Sequence, residues 1–276
     1  MERIQRALEI SRLQRGGVAE PRPLVTVHNE ERLSRPEPAS AVVADEPADL
    51  PQHSVDREAL RRQRIVLGDE SSVAAHAYRM LRAQILQRAR AARMRTVGIV
   101  SATTGEGKTL TAINLALSLA VEPNQHITLV DLDLKRPSIA RVLGIAPSCG
   151  LCTWLSDSSP ARSVQCELAG FPRLRLVPTL APLPGSSEAL AGSRTKQLFE
   201  ELAALEGPGL VVVDLPPVLL GDDVLTAAPL IDGFVFVITE GQTLREDVER
   251  VFELLGRNRI MGTVLNGSSA SEQRTY

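Results

Sequence analysis

The stretch "ATTGEGKT", residues 102–109, sets two glycines, a lysine and a threonine at spacings that suit phosphate binding. In such a loop successive backbone N–H groups wrap an anion, and a helix starts where the anion sits. Glycines let the backbone come close, the lysine adds charge, and the hydroxyl after it reaches magnesium. Gly105, Gly107, Lys108 and Thr109 supply these parts, while Ala102 stands where the pattern's first glycine falls. Phosphate chemistry also needs carboxylates for magnesium and water. "ITLVDLDLKRP" offers Asp131 and Asp133, which strand alternation turns to the same side, and "LVVVDLPPV" offers Asp214 after an apolar run. Asp222 and Asp223 come a few residues later, with Asp222 positioned to cap the next helix.

These residues need strands and helices to hold them. "TVGIVSA", "HITLVDLD", "LRLVPT", "GLVVVDLP", "GFVFVIT" and "IMGTVLN" are short, apolar and β-branched, the pattern of strands buried on both faces. The first leads into the phosphate loop; after the loop Leu110, Ile113 and Leu117 share one face of a helix. "SSVAAHAYRMLRAQILQRARAAR" reads as a helix capped by Ser72, and "IARVL" as one capped by Ser138 and stopped at Gly144. Leu244 to Leu255 forms a fourth, with Thr243 and Glu246 as a capping box and Gly256 at its end. Strands alternating with helices predict an α/β fold, three layers deep, with a mostly parallel central sheet.

The 276-residue chain carries a net charge of −2, which gives no electrostatic footprint for nucleic acid. No apolar run approaches the ~20 residues that span a bilayer. "MERIQRALEISRLQR" lacks the apolar core of a signal peptide. These features fit a cytoplasmic protein without direct membrane insertion. Cys149 and Cys152 form a single CxxC with no second pair, so they read as incidental thiols in a reducing compartment. Residues 1–65 read as a mostly disordered segment: a short helix over 2–15, then a flexible Pro- and charge-rich linker from Gly16 to about Gln63. The expected domain covers 66–266, and 267–276 reads as a flexible tail.

The loop "SATTGEGKT", the segment "VDLDLKRP" and the strand "VVVDLPPV" resemble the Walker A, A′ and B motifs of bacterial tyrosine kinases. "AYRMLRAQIL", "GLCTWL", "LVPTLAPLPGSSEAL" and "GTVLN" extend the resemblance from about Ala75 to Asn266. "MERIQRALE" and "DLPPVLLGDDVL" are similar to the separate cytoplasmic kinases of exosortase-associated polysaccharide systems. The resemblance implies a P-loop fold in which tyrosine accepts the γ-phosphoryl group of ATP. It assigns Thr104, Gly105, Glu106, Gly107, Lys108, Thr109 and Leu110 to the nucleotide phosphates. Lys108 and Asp131 become the catalytic pair, Asp131 taking the tyrosine proton. Thr109, Asp133 and Asp214 hold Mg2+, and Asn266 contacts adenine. The resemblance further implies a homo-oligomer that works with the cytoplasmic end of a polysaccharide chain-length-determinant membrane protein.

Four positions depart from the family pattern. The usual C-terminal tyrosine cluster is replaced by Tyr276, Tyr78 being the chain's other tyrosine, expected packed on its helix. Ten residues beyond Asn266 extend about 33 Å, enough to bring Tyr276 to a neighbouring subunit as phosphoacceptor. The family's Glu-x-x-Arg-x-x-Arg assembly helix here reads His76, Arg79 and Arg82, so the arginines implied in oligomerisation lack the acidic partner. Lys135 stands for the usual arginine of the second motif, and Ala102 for the first loop glycine. Two other functions fit the same fold. One is a nucleotide-gated scaffold with little kinase activity; the other is a partition-type ATPase, whose signature lysine is here Thr103.

Overall fold

The computed structural model describes residues 50–66, 72–156, 160–204 and 209–268. All of them lie within one compact unit, Ala48–Tyr276. The expected helix over 2–15, most of the linker and Tyr276 fall outside the described residues.

Eight strands carry the architecture: β1 (Gln52–His53), β2 (Thr96–Ser101), β3 (His126–Asp131), β4 (Cys166–Leu168), β5 (Leu174–Val177), β6 (Gly209–Asp214), β7 (Gly233–Thr239) and β8 (Ile260–Asn266). Between them run α1 (Arg57–Arg62), α2 (Val73–Ala92), α3 (Lys108–Ala120), α4 (Ile139–Leu143), α5 (Leu151–Ser156), α6 (Ser186–Ala191), α7 (Ser193–Ala203), α8 (Asp223–Ala227) and α9 (Arg245–Leu255). The sheet order is β1-β4-β5-β3-β6-β2-β7-β8. All neighbours are parallel except the β4–β5 pair. From β2 the chain crosses to β3 on one side and reaches β7 on the other. Ligands of open α/β sheets bind at such a switch point, outside the carboxyl ends of the strands.

Strand alternation divides the core into two layers. Val97, Ile99, Ile127, Leu129, Val212 and Val235 pack toward Ile85 of α2 and Ile113 and Leu117 of α3. Val100, Val130, Val213, Phe234 and Phe236 face Leu198 of α7, Val224 of α8 and Val251 of α9. Both faces of β2, β3, β6 and β7 are covered, which is why these strands read as unbroken apolar runs; β8, also expected buried on both faces, is an edge strand that leaves Thr263 and Leu265 exposed.

Three local expectations are corrected. The linker expected up to Gln63 gives way to ordered chain at Leu50. Asp56 Oδ1 caps α1 through the N–H groups of Glu58 and Ala59, and Leu60 and Ile65 are fully buried in the core. Burying each such side chain contributes about 1.5–3 kcal/mol toward holding the segment against the core. Secondly, β1 and β4 were not expected, and β4 reverses direction, so the sheet has one antiparallel pair. Thirdly, the expected caps of the later helices do not form through side chains. Ser138 and Asp222 occupy N-cap positions without capping bonds; Leu244, not Thr243, is the N-cap of α9. Their side chains are engaged elsewhere, and two of them lead into the site. Ser72 does cap α2, through the Ala75 N–H, and Gly144 and Gly256 end α4 and α9.

Candidate functional site

The loop between β2 and α3 curves because Gly105 and Gly107 hold φ values of +82° and +89°, which L side chains rarely adopt. A Cβ at Gly107 would also stand 2.0 Å from Asn266 Nδ2. The first bond of α3 runs from the Thr111 N–H to the Gly107 carbonyl. The N–H groups of Lys108, Thr109 and Leu110 therefore precede helical pairing and suit an anion. Leu110 itself packs on the core, so only its backbone serves such a site.

The carboxylates arrive by register. Asp131 and Asp214 are direct partners at the carboxyl ends of β3 and β6. Lys108 Nζ lies 2.8 Å from Asp133 Oδ2 and 3.4 Å from Asp214 Oδ1. The Thr109 hydroxyl donates to Asp214 Oδ2 at 2.6 Å and accepts from the Ser138 hydroxyl at 3.2 Å. Burial opposes the Lys108 charge, but Asp214 and Asp133 outweigh it and hold the ammonium above its ordinary range. Burial raises Asp214 despite that lysine. Asp131 is pushed up to about 7, by burial first and the Asp214 charge second. Its Oδ2 accepts from the Ser138 and Ile139 N–H groups, at 2.9 and 3.0 Å, while Oδ1 is buried without a hydrogen-bond partner. A buried carboxylate oxygen left without a partner is costly.

Magnesium fits this donor set. Thr109, Asp133 and Asp214 are the residues that would hold it. Among the described residues no three His, Cys, Asp or Glu side chains form a metal cage by themselves. That suits magnesium, which takes one or two carboxylates and completes its shell with phosphates and water.

Several features of the site were not legible in the motifs. The Glu106 side chain is fully buried and accepts from the Thr103 N–H and the Thr243 hydroxyl. The Glu106 carbonyl accepts from the Thr239 hydroxyl and from Asn266 Nδ2, each at 3.0 Å. Asn266 thus stands over the loop. Lys135 reaches Asp223 at 2.9 Å, and Asp223 also accepts from the Ser186 hydroxyl. Next to this pair a cavity of about 110 Å³ is lined by Thr104, Asp133, Pro216, Pro217 and Leu220.

Away from the site, Arg82 is engaged within the chain. Its Nε lies 3.0 Å from Glu122 Oε1, and its Nη1 donates to the Ser118 carbonyl. Tyr78 is half-buried, with its hydroxyl against Asn114 and Thr111, and burial raises its pKa.

A phosphate loop after β2, carboxylates at the ends of β3 and β6 and a two-sided parallel sheet define a P-loop nucleotide-binding protein. No family model matches the sequence. Tyrosine-protein kinase YwqD of Bacillus subtilis (strain 168) is 30% identical over 222 residues, covering 79% of this chain and 91% of YwqD. Succinoglycan biosynthesis transport protein ExoP of Rhizobium meliloti (strain 1021) is 28% identical over 78% of this chain, a stretch that makes up 28% of ExoP. Among solved structures, the VpsO kinase domain matches with a TM-score of 0.62 at 26% identity, covering 70% of this chain and 94% of that one. A chromosome-partitioning ATPase matches as well, over 46% of this chain. The chain belongs to the bacterial tyrosine kinase family.

Proposed function

We propose that this protein is an ATP-dependent tyrosine autokinase that regulates exopolysaccharide polymerisation or export. The observation that carries the proposal is Asp131, a buried carboxyl with one oxygen anchored by two backbone N–H groups and the other left bare. A general base works best with a pKa near the working pH, and Asp131 stands at about 7. The tyrosine oxygen bonds to the γ-phosphorus, the bond to the β–γ bridging oxygen breaks, and ADP leaves. Asp131 takes the phenolic proton and later returns it to solvent. Lys108 and the loop N–H groups steady the phosphate oxygens, and positioning supplies most of the acceleration. Magnesium, held by Thr109, Asp133 and Asp214, supplies further charge neutralisation when bound.

Tyr276 is the proposed acceptor, and Asn266 the proposed adenine contact. Arg79 and Arg82 belong to a proposed self-assembly face, although Arg82 already has Glu122 in its own chain. The proposed partner is the cytoplasmic end of a polysaccharide chain-length-determinant membrane protein, and this is the route proposed from cytoplasm to membrane. No described helix is long and apolar enough to cross a bilayer. ExoP, named for polysaccharide transport, supports that setting.

The count of two tyrosines favours a second function, a nucleotide-gated scaffold that phosphorylates little. Intact-mass and peptide mass spectrometry after incubation with Mg-ATP separates the two. The wild type, Lys108→Met and Tyr276→Phe are compared with and without the partner's cytoplasmic tail. One added phosphate on Tyr276, missing in both variants, supports the kinase. ADP release without protein phosphorylation, partner present, supports the scaffold and removes the kinase proposal.

A further inference from the structure

Glu106 occupies a position that the phosphate-loop pattern leaves open to any residue. A solvated carboxylate would be unremarked there, yet its side chain is fully buried. Burying a charge is costly unless it is hydrogen-bonded, and here both oxygens are. Oε2 accepts from the Thr103 N–H at 2.8 Å, and Oε1 accepts from the Thr243 hydroxyl at 2.5 Å. The Thr243 oxygen accepts from the Thr239 N–H at 2.8 Å, so its single proton is committed to Glu106. The Glu106 carbonyl takes the Thr239 hydroxyl and Asn266 Nδ2, and Gln242 Nε2 donates to the Thr104 carbonyl at 3.3 Å.

The Thr103–Glu106 bond closes the phosphate loop on itself, and the loop is tied at Thr104 and Glu106 to one wall, made of the turn from Thr239 to Thr243 and the end of β8. Gly107, Lys108 and Thr109 follow Glu106 directly, so the set of the Glu106 peptide governs how the N–H groups behind it converge.

We propose that Thr243 is a positioning residue for nucleotide binding, acting through Glu106 to lock the phosphate loop in its anion-binding curve and to couple it to the wall that carries Asn266. The proposal rests on the nucleotide site described above and deepens it. Thr243 touches no reacting atom; it acts by holding Glu106. Without the hydroxyl, Glu106 Oε1 stays buried with nothing to accept, and the loop relaxes to solvate it.

The test is equilibrium binding of a fluorescent ADP analogue with magnesium to the full chain, for wild type, Thr243→Val and Thr243→Ser. Valine keeps the shape and removes the hydroxyl, so affinity falls by about tenfold or more. Serine restores the donor and returns affinity to within about threefold of wild type. A role in fold stability alone would lower the melting temperature of Thr243→Val and leave its affinity intact, and that result overturns the proposal. Should Thr243→Val not fold, Thr243→Ala, which likewise removes the donor to Glu106 Oε1, is read in its place by the same criterion. Coupling is read from Asn266→Ala and the double variant Thr243→Val, Asn266→Ala: a combined loss smaller than the two single losses multiplied supports it, and strict independence overturns it. Failure of the wild type to bind the analogue would instead defeat the nucleotide site itself. The readout needs no tyrosine transfer, so the kinase proposal is tested separately.

Discussion

Lys108 Nζ and Asp133 Oδ2 lie 2.8 Å apart, and the lysine bridges to Asp214 as well, so the ammonium proposed to serve the phosphates also neutralises the carboxylates of the site. Both acids are almost fully buried. Removing one partner of a buried ion pair leaves an uncompensated charge. Lys108→Met is expected to destabilise the nucleotide-free protein by about 3 kcal/mol near pH 8. The loss shrinks at lower pH, because burial already raises the Asp214 carboxyl and its neutral form needs no counter-charge. Chemical denaturation as the pH is lowered checks this. Loss of the charge also lowers phosphoryl transfer by about 100-fold or more, read by the rate of ADP release.

Asp131 gives the protein a pH dependence of predictable sign. Its carboxyl titrates at about 7 in the fold, raised by burial and by Asp214, and near ~3.9 in an unfolded chain. Between those values the folded state holds a proton that the unfolded chain has released. Stability of the nucleotide-free protein therefore falls as pH rises from about 4 to about 7. Asp214, also raised, adds a contribution of the same sign. Thermal melts across pH 5 to 8 should show this decline, and Asp131→Asn should flatten it. Activity runs the other way, because the base must be ionised. The rate rises with pH through about 7, and Asp131→Asn lowers it by about 100-fold or more.

Arg82 and Glu122 join α2 to the end of α3, at side-chain exposures of 20% and 31%. A partly exposed pair of this kind is worth up to about 1 kcal/mol. Arg82→Ala should lower the unfolding free energy by about that much, with no change in mass attributable to Glu122. The double variant Arg79→Ala, Arg82→Ala addresses assembly. A lower mass in light scattering than the wild type supports the self-assembly face, and an unchanged mass removes it.

The phosphate loop and the six longest strands were legible in the sequence for a physical reason. Strands buried on both faces must be apolar throughout, and a backbone anion site must carry glycine at its tight positions. Asp131 and Asp214 could be placed at strand ends because charge interrupts those runs. Their exact alignment could not, since it depends on β3 and β6 being neighbours. The link from Thr243 to Glu106 spans 137 residues and exists only because the sheet brings β7 beside β2. Local pattern instead favoured a capping box, and tertiary contact claimed the hydroxyl. Arg82 shows the same limit: the glutamate missing from its own helix is met by Glu122, from the far end of the next helix.

Residues 50–66 illustrate the remaining gap and lead to a prediction. A two-residue strand and a six-residue helix are too short to show periodicity, and the surrounding prolines and charges read as linker. Packing decides the matter. Leu60 and Ile65 are fully buried in the layer that includes α2 and α3, Val66 N–H donates to Asn114 Oδ1 at 2.7 Å, and the Glu167 N–H donates to the Pro51 carbonyl. Leu60→Ala should therefore cost about 2–5 kcal/mol, as core truncations do, whereas a true linker position would lose almost nothing. Removing residues 1–49 should leave the melting temperature of the domain near that of the full chain. Removing residues 1–66 should lower it sharply, because α1 and β1 go with them. Equal melting temperatures for the two truncations would return the segment to the linker.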